Sequence, residues 1–280
     1  MNSDYTAQFK LGSAESDIML FKGSKYVYSS MGDVFLQIKQ EIDEGGKVVF
    51  IGLPCQVEAI KTFFPGCEDL IYIDIVCHGV CSSKYLIDHI KSLVPKKRVK
   101  KVNFRDPRFG TEKFIFSLYD ENDTLLYKKS VDKNDVYQLA YHKALSYREN
   151  CYHCKYARPE RVSDITIGDY WGLGKIAPYY GERKNVSLIL CNTDKGITFI
   201  NKLCSSGHIQ VIERPVDEPL KTEKQLKQPS QKTDLQSKLN SELKKSDGNF
   251  ELAAQKVLRN KIIMNYVFPV FIRRFLRKFI

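Results

Sequence analysis

Cys55, Cys77, Cys151 and Cys154 are the residues whose type and spacing could do chemistry together. The last two form a Cys-x-x-Cys clip in "RENCYHCKYARPERVSDITIGDYWG", which reads as half a metal site, a redox disulfide or a plain turn. The first two each follow a short continuous apolar run, "KVVFIGL" (47–53) and "LIYIDIV" (70–76). Each run reads as a strand buried on both faces. As parallel neighbours, their carboxyl ends would lie on one sheet edge, about 5 Å apart. That edge is where open α/β sheets take ligands. Four thiolates meeting there suit zinc or an iron–sulfur cluster. The plainer reading makes Cys55 and Cys77 small buried hydrophobes, which accounts for burial but not for a shared edge. Cys81 reads as a loop residue able to stand in for Cys77, Cys67 as a turn residue, and Cys191 and Cys204 as core positions.

The elements that must position these thiols alternate. "MGDVFLQIKQEIDEGG" places Val34, Phe35, Ile38 and Ile42 on one helix face, and Gly45-Gly46 closes it. "QVEAIKTFF" is a helix stopped by Pro65-Gly66, and "SKYLIDHIKSLV" (83–94) is an amphipathic helix with a serine cap and a stop at Pro95. This βαβα order makes the two strands parallel neighbours joined by a right-handed crossover. A β-rich middle follows ("VKKVNFR", "KFIFSLY", "TLLYKKS"), then strands at "DITIG", "VSLILCN" and "HIQVIE", with a helix near 194–206. The fold class is α/β (α+β mixed), with a partly parallel mixed sheet flanked by helices. One main domain spans 1–215, and 216–280 is a basic helical extension, solvated by its Lys, Gln, Ser and Glu content.

Charge is unevenly placed along the 280 residues. From Lys221 onward there are 14 Lys and Arg against 5 Asp and Glu, and before it 30 against 28. A nearly neutral body lacks the footprint of a nucleic-acid binder. "MNSDYTAQFK" has neither the basic start nor the apolar core of a signal peptide. No apolar run reaches the roughly 18 to 20 residues needed to span a bilayer. The expected location is a reducing cytoplasm, where cysteines serve as thiols or ligands. The ending "LRNKIIMNYVFPVFIRRFLRKFI" mixes apolar and basic residues around Pro269. It suits either a peripheral contact with the anionic inner face of a membrane, or an amphipathic helix docked on the body or on a partner.

"GSKYVYSS", "FIGLPCQVEAIKTFF", "IDIVCHGVCS", "VNFRDPRFG", "RENCYHCKYA" and "SDITIGDYWG", in this order, resemble the coenzyme F420 hydrogenase/dehydrogenase beta-subunit family over about residues 18–210. The resemblance implies an oxidoreductase subunit. FAD and a [4Fe–4S] cluster would pass electrons between a carrier (a ferredoxin or a deazaflavin such as F420) and a substrate or partner, with surface-polysaccharide biosynthesis a setting of bacterial relatives. It puts the cluster ligands on Cys55, Cys77, Cys151 and Cys154, and places Gly23, Ser24, Lys25, Tyr26 and Ser29 beside the flavin. The family's ferredoxin-like CxxCxxCxxxCP module and its glycine-rich flavin segment before "GSKY" do not occur here. A shortened copy without flavin and without activity is therefore one alternative, and a zinc-stabilised interaction protein is another.

Other residues carry weaker signals. His78, after Cys77, suits a proton relay or a hydrogen bond near the cluster. Asp169 and Trp171 in "GDYWG" suit a cofactor wall, or a structural Trp with an Asp-capped turn. Arg105 and Arg108 read as anion-facing or as a salt-bridged turn, Arg148 and Arg161 as charge balance for thiolates, and His153 as solvated. No catalytic set of the Ser/His/Asp, P-loop or paired-carboxylate kind stands out.

Overall fold

A computed structural model describes residues 4–183, 186–268 and 272. In chain order the first elements are β1 (Ala7–Gln8), α1 (Glu15–Phe21), β2 (Ser29–Ser30), α2 (Val34–Asp43), β3 (Val48–Gly52), α3 (Pro54–Phe63), β4 (Leu70–Ile75) and α4 (Ser83–Leu93). Then come β5 (Lys101–Asn103), β6 (Ile115–Tyr119), β7 (Leu125–Ser130), α5 (Val136–His142), β8 (Ile165–Asp169) and β9 (Ser187–Cys191). Helices α6 (Asp194–Ser205), α7 (Asp217–Thr222), α8 (Asp234–Lys245) and α9 (Phe250–Val267) complete the order. The mixed α/β class expected from the sequence is the one observed.

The chain divides into two compact units, each built from separated stretches. The first comprises 1–32, 79–149 and 231–280, and the second 33–78 and 150–230.

The second unit is built on a four-stranded sheet of order β3-β4-β8-β9. β3, β4 and β8 run parallel, and β9 returns antiparallel to β8. β3 departs from expectation: it is an edge strand whose residues alternate buried and exposed, with Val49 and Ile51 about half exposed. The side chains of Val49 and Ile51 share one face, and that face is left uncovered, which apolar content alone does not report. The "HIQVIE" segment forms no strand among the described residues.

In the first unit, β5, β6 and β7 form an antiparallel sheet, and α4, α5 and α9 pack beside one another. Ser82 caps α4 by accepting from the Lys84 amide, and Asn249 caps α9 by accepting from the Leu252 amide. The C-terminal region corrects the expectation of a solvated extension. Phe250, Ala253, Ala254 and Leu258 are buried, an i, i+3, i+4, i+8 stripe that seats α9 on α4 and α5. His89 lies fully buried among these elements, 3.1 Å from Asp135 Oδ2 and 2.7 Å from Glu251 Oε2. No described helix is long and apolar enough to cross a membrane. Most of the tail from Pro269 on, where a membrane or partner contact was expected, lies outside the described residues.

Candidate functional site

All four expected ligand cysteines belong to the second unit. The register aligns the first two: Gly52 pairs with Asp74, so Cys55 and Cys77 each stand three residues beyond a matched pair. Likewise Ile75 pairs with Ile167, which sets Cys77 and Asp169 each two residues further on. Both cysteines therefore leave the carboxyl edge of parallel strands, the ligand-binding edge of such sheets.

Each loop is held by identifiable contacts. Pro54 opens α3 at its first turn, where a missing N–H costs nothing. Gln56 accepts from the Leu53 amide at 3.1 Å through its side-chain oxygen, fixing the turn that carries Cys55. The Val76 amide donates to the Ile167 carbonyl at 2.9 Å, extending the β4–β8 ladder to the residue before Cys77. Gly168 permits that closeness, since a Cβ there would stand 2.8 Å from Val76 Cγ2. Beyond Cys77, the Ser230 hydroxyl donates to the His78 carbonyl at 2.7 Å.

The Cys151–Cys154 clip sits on a short 3-10 turn, Glu149–His153, with Tyr152 buried beneath it. Arg161 ties this segment to the sheet. Its Nη1 donates to the Tyr156 carbonyl at 2.9 Å and its Nε to Thr166 Oγ1 at 3.2 Å, while Nη2 stands 3.0 Å from Asp74 Oδ2. Arg161 and Asp74 are buried, and they meet off the axis of a straight hydrogen bond, so their attraction is chiefly coulombic. Burial pushes the Asp74 carboxyl up against the pull of Arg161. The expected role of Arg161 as a counter-charge for thiolates thus gives way to a pairing with Asp74. The signal for this was a lone aspartate inside an apolar strand, "IYIDIV".

No disulfide joins these cysteines. The protein atoms around the Cys55 sulfur, and then the Cys154 and Cys151 thiols, hold its pKa above the ordinary thiol value. Three of the four cysteines thus lie within electrostatic reach of one another. Among the described residues, no three His, Cys, Asp or Glu groups already form a site for a single metal ion. The protein atoms around the His78 ring push its pKa down, with Asp169 pulling the other way. Trp171 is about half exposed just past β8.

The remaining expectations fall elsewhere. Cys81 belongs to the first unit, buried, with its sulfur 2.9 Å from the Ser146 hydroxyl. Cys191 is exposed at the end of β9 rather than in the core, and Cys204 is half-buried. Gly23, Ser24, Lys25, Tyr26 and Ser29 also lie in the first unit. The Lys25 ammonium donates to the carbonyls of Phe21, Lys22 and Gly23 at 3.0–3.2 Å, closing the end of α1. Tyr26 stacks on Tyr141 with ring centroids 4.5 Å apart, and Ser29 pairs with Ala7 in the β1–β2 bridge. Arg105 lies over the Phe114 ring, Arg108 pairs with Asp123, and Arg148 lies over Tyr28.

A buried anchor unseen in the sequence is Glu218. It accepts from the Tyr170 hydroxyl, from Arg214 and from the Gly174 and Ile176 amides, and so fastens the segment after Trp171. No pattern distinguishes it from the other glutamates of a polar stretch.

Fold and edge together define an α/β domain that brings loop residues to the carboxyl ends of its parallel strands. The family model for the C terminus of the coenzyme F420 hydrogenase/dehydrogenase beta subunit matches residues 45–216, and the chain belongs to that family. It is therefore an oxidoreductase-type domain, of a kind that works with other subunits or electron carriers. None of the curated proteins compared with the chain matches it.

Proposed function

We propose that Cys55, Cys77, Cys151 and Cys154 hold a [4Fe–4S] cluster, and that the domain passes electrons between an F420- or ferredoxin-like carrier and a substrate or partner. The observation that carries this reading is that Cys55, at the strand edge that also bears Cys77, feels the Cys154 and Cys151 thiols, with no disulfide joining any of the four. The donor set fits, because an all-sulfur site suits iron–sulfur ligation. A single zinc would need its four sulfurs within roughly 4 Å of one another, whereas a four-iron cluster spreads its ligands over its corners. When bound, the cluster supplies a one-electron relay.

The chain's own residues hold the loops. Gln56 fixes the turn bearing Cys55, Gly168 and Ser230 fix the passage through Cys77 and His78, and Arg161 straps the clip to β4 and β8. The raised pKa of Cys55 means that ligation must expel a proton from a thiol that holds it firmly. The flavin stands on weaker ground. Lys25, the cation expected to meet it, is engaged with three carbonyls, so that stretch does not fit a phosphate as it stands and no step is assigned to flavin.

The test is iron, sulfide, zinc and extracted-flavin analysis of anaerobically purified protein, beside Cys154→Ser. About four irons per chain, lost in the variant, is the expected outcome. Unchanged iron in Cys154→Ser would remove the ligand assignment, and one zinc without iron would replace the electron-transfer reading with a structural one.

A further inference from the structure

β7 is one of the two outer strands of the antiparallel sheet in the first unit, and a cleft of about 940 Å³ lies beside it. Its walls come from β6 and β7, the turn at 131–133, the C-terminal end of α5, and α9. Lys113, Lys128, Lys129, Lys133, Lys143 and Lys261 line it, against only Glu112 and Asp132 of opposite sign. Among the described residues, no side-chain hydrogen bond or ion pair engages Lys113, Lys129, Lys133 or Lys143. Lys128 lies 4.5 Å from the centre of the Phe109 ring. Like charges gathered around a concave surface repel one another and focus their field into it, which favours an anionic occupant.

Size and lining narrow the occupant. The volume falls within the roughly 300–1,000 Å³ of small-molecule sites. Phe114 and His142, edge to face with centroids 4.8 Å apart, add a ring surface to the same wall. Several ammonium groups beside an aromatic pair suit a molecule carrying two linked phosphates and a flat base.

We infer that this cleft binds a small phosphorylated molecule of the nucleoside diphosphate class. The lysines take the diphosphate, and the Phe114–His142 wall takes the base. None of the cysteines takes part, so the cleft and the electron-transfer reading can fail independently. A sugar esterified to a nucleoside diphosphate carries this chemistry.

Calorimetric titration of the full chain with ADP, adenosine, a uridine diphosphate sugar and a single-stranded oligonucleotide tests it, alongside the double variant Lys129→Glu/Lys133→Glu. Lys133 is exposed and Lys129 half-buried, and the thermal melt of the variant checks that the fold is kept. The expected result is ADP binding that weakens with salt, no binding of adenosine, and at least a tenfold loss of ADP affinity in the variant. Lys129→Gln/Lys133→Gln should lie between wild type and the Glu variant. The uridine diphosphate sugar should bind as ADP does and lose affinity in the same variant. No ADP binding, equal affinity in wild type and variant, or binding of a single-stranded oligonucleotide in place of ADP would overturn it.

Discussion

Two buried charged groups, one in each unit, are built on opposite plans. In the first unit His89 sits between Asp135 and Glu251, with Tyr127 also donating to Asp135 at 3.1 Å. In the second, Arg161 meets a single carboxylate, Asp74, and spends its other donors on Tyr156 and Thr166. His89 draws α4, α5 and α9 together through their side chains. Arg161 instead reaches the backbone of the loop that follows the Cys-x-x-Cys clip. The first arrangement answers to stability, because every group in it is closed in by the others. The second answers to position, because what it holds in place is the loop that carries the Cys151 and Cys154 thiols.

Deleting His89 should produce the largest effect. His89→Ala leaves the Asp135 and Glu251 carboxylates facing each other in the core, and breaking a buried charged set in this way costs about 3–5 kcal/mol. Urea denaturation followed by circular dichroism reads the loss, and iron content per folded chain should stay at the wild-type value. A variant that kept full stability would show that the histidine is a packed ring and not a charge bridge.

Titration should move the same group by less, since it removes a proton and leaves the ring in place. Asp135 and Glu251 outweigh the burial that opposes charging, and raise His89 from its ordinary 6.5 to about 9. The folded state therefore binds this proton more tightly than the unfolded chain. Its stabilising effect is complete below pH 6.5 and is lost as pH climbs through about 9. Glu218 has the opposite sign. Burial alone would raise its carboxyl, but the Tyr170 hydroxyl, Arg214 and the backbone amides outweigh it and bring the pKa down to about 2. Its contribution is complete above its ordinary 4.5 and is lost as pH falls toward 2. A stability profile across pH should fall on both sides, with Glu218→Gln flattening only the acid limb and His89→Ala only the alkaline one.

The two plans were not equally legible in the sequence. "KVVFIGLPC" and "LIYIDIVC" announce two strands and two following cysteines because apolar runs and loop residues are local signals, and the parallel register bears out their pairing. The exposure of Val49 and Ile51 was hidden, since which face of a strand is covered depends on what the rest of the chain packs against it. The docking of α9 was legible in principle: Phe250, Ala253, Ala254 and Leu258 keep helical spacing beneath a basic composition that drew attention away from it. His89 with Glu251, 162 positions apart, and Asp74 with Arg161 could not be matched, because nothing in one sequence says which distant charges meet. The lysines of the cleft are scattered between 113 and 143 and at 261, without period, and only the fold gathers them.

The sharpest separation of the two plans is also the smallest in stability. Replacing Asp74 and Arg161 together, as Asp74→Leu/Arg161→Met, removes both buried charges at once and leaves neither unpaired. Exchanging a buried ion pair for apolar residues of similar volume is often neutral or better, so the unfolding free energy should change by no more than about 1 kcal/mol. Thr166 keeps a donor in Asn192, 3.0 Å away, so the network around it is not stranded. What disappears is the strap from the sheet to the Tyr156 carbonyl. If that strap positions Cys151 and Cys154, the double variant should fold normally yet retain well under half of the iron. A folded double variant with its full complement of iron would mean that the cysteine loop holds its shape unaided, and that the Asp74–Arg161 pair serves the sheet alone.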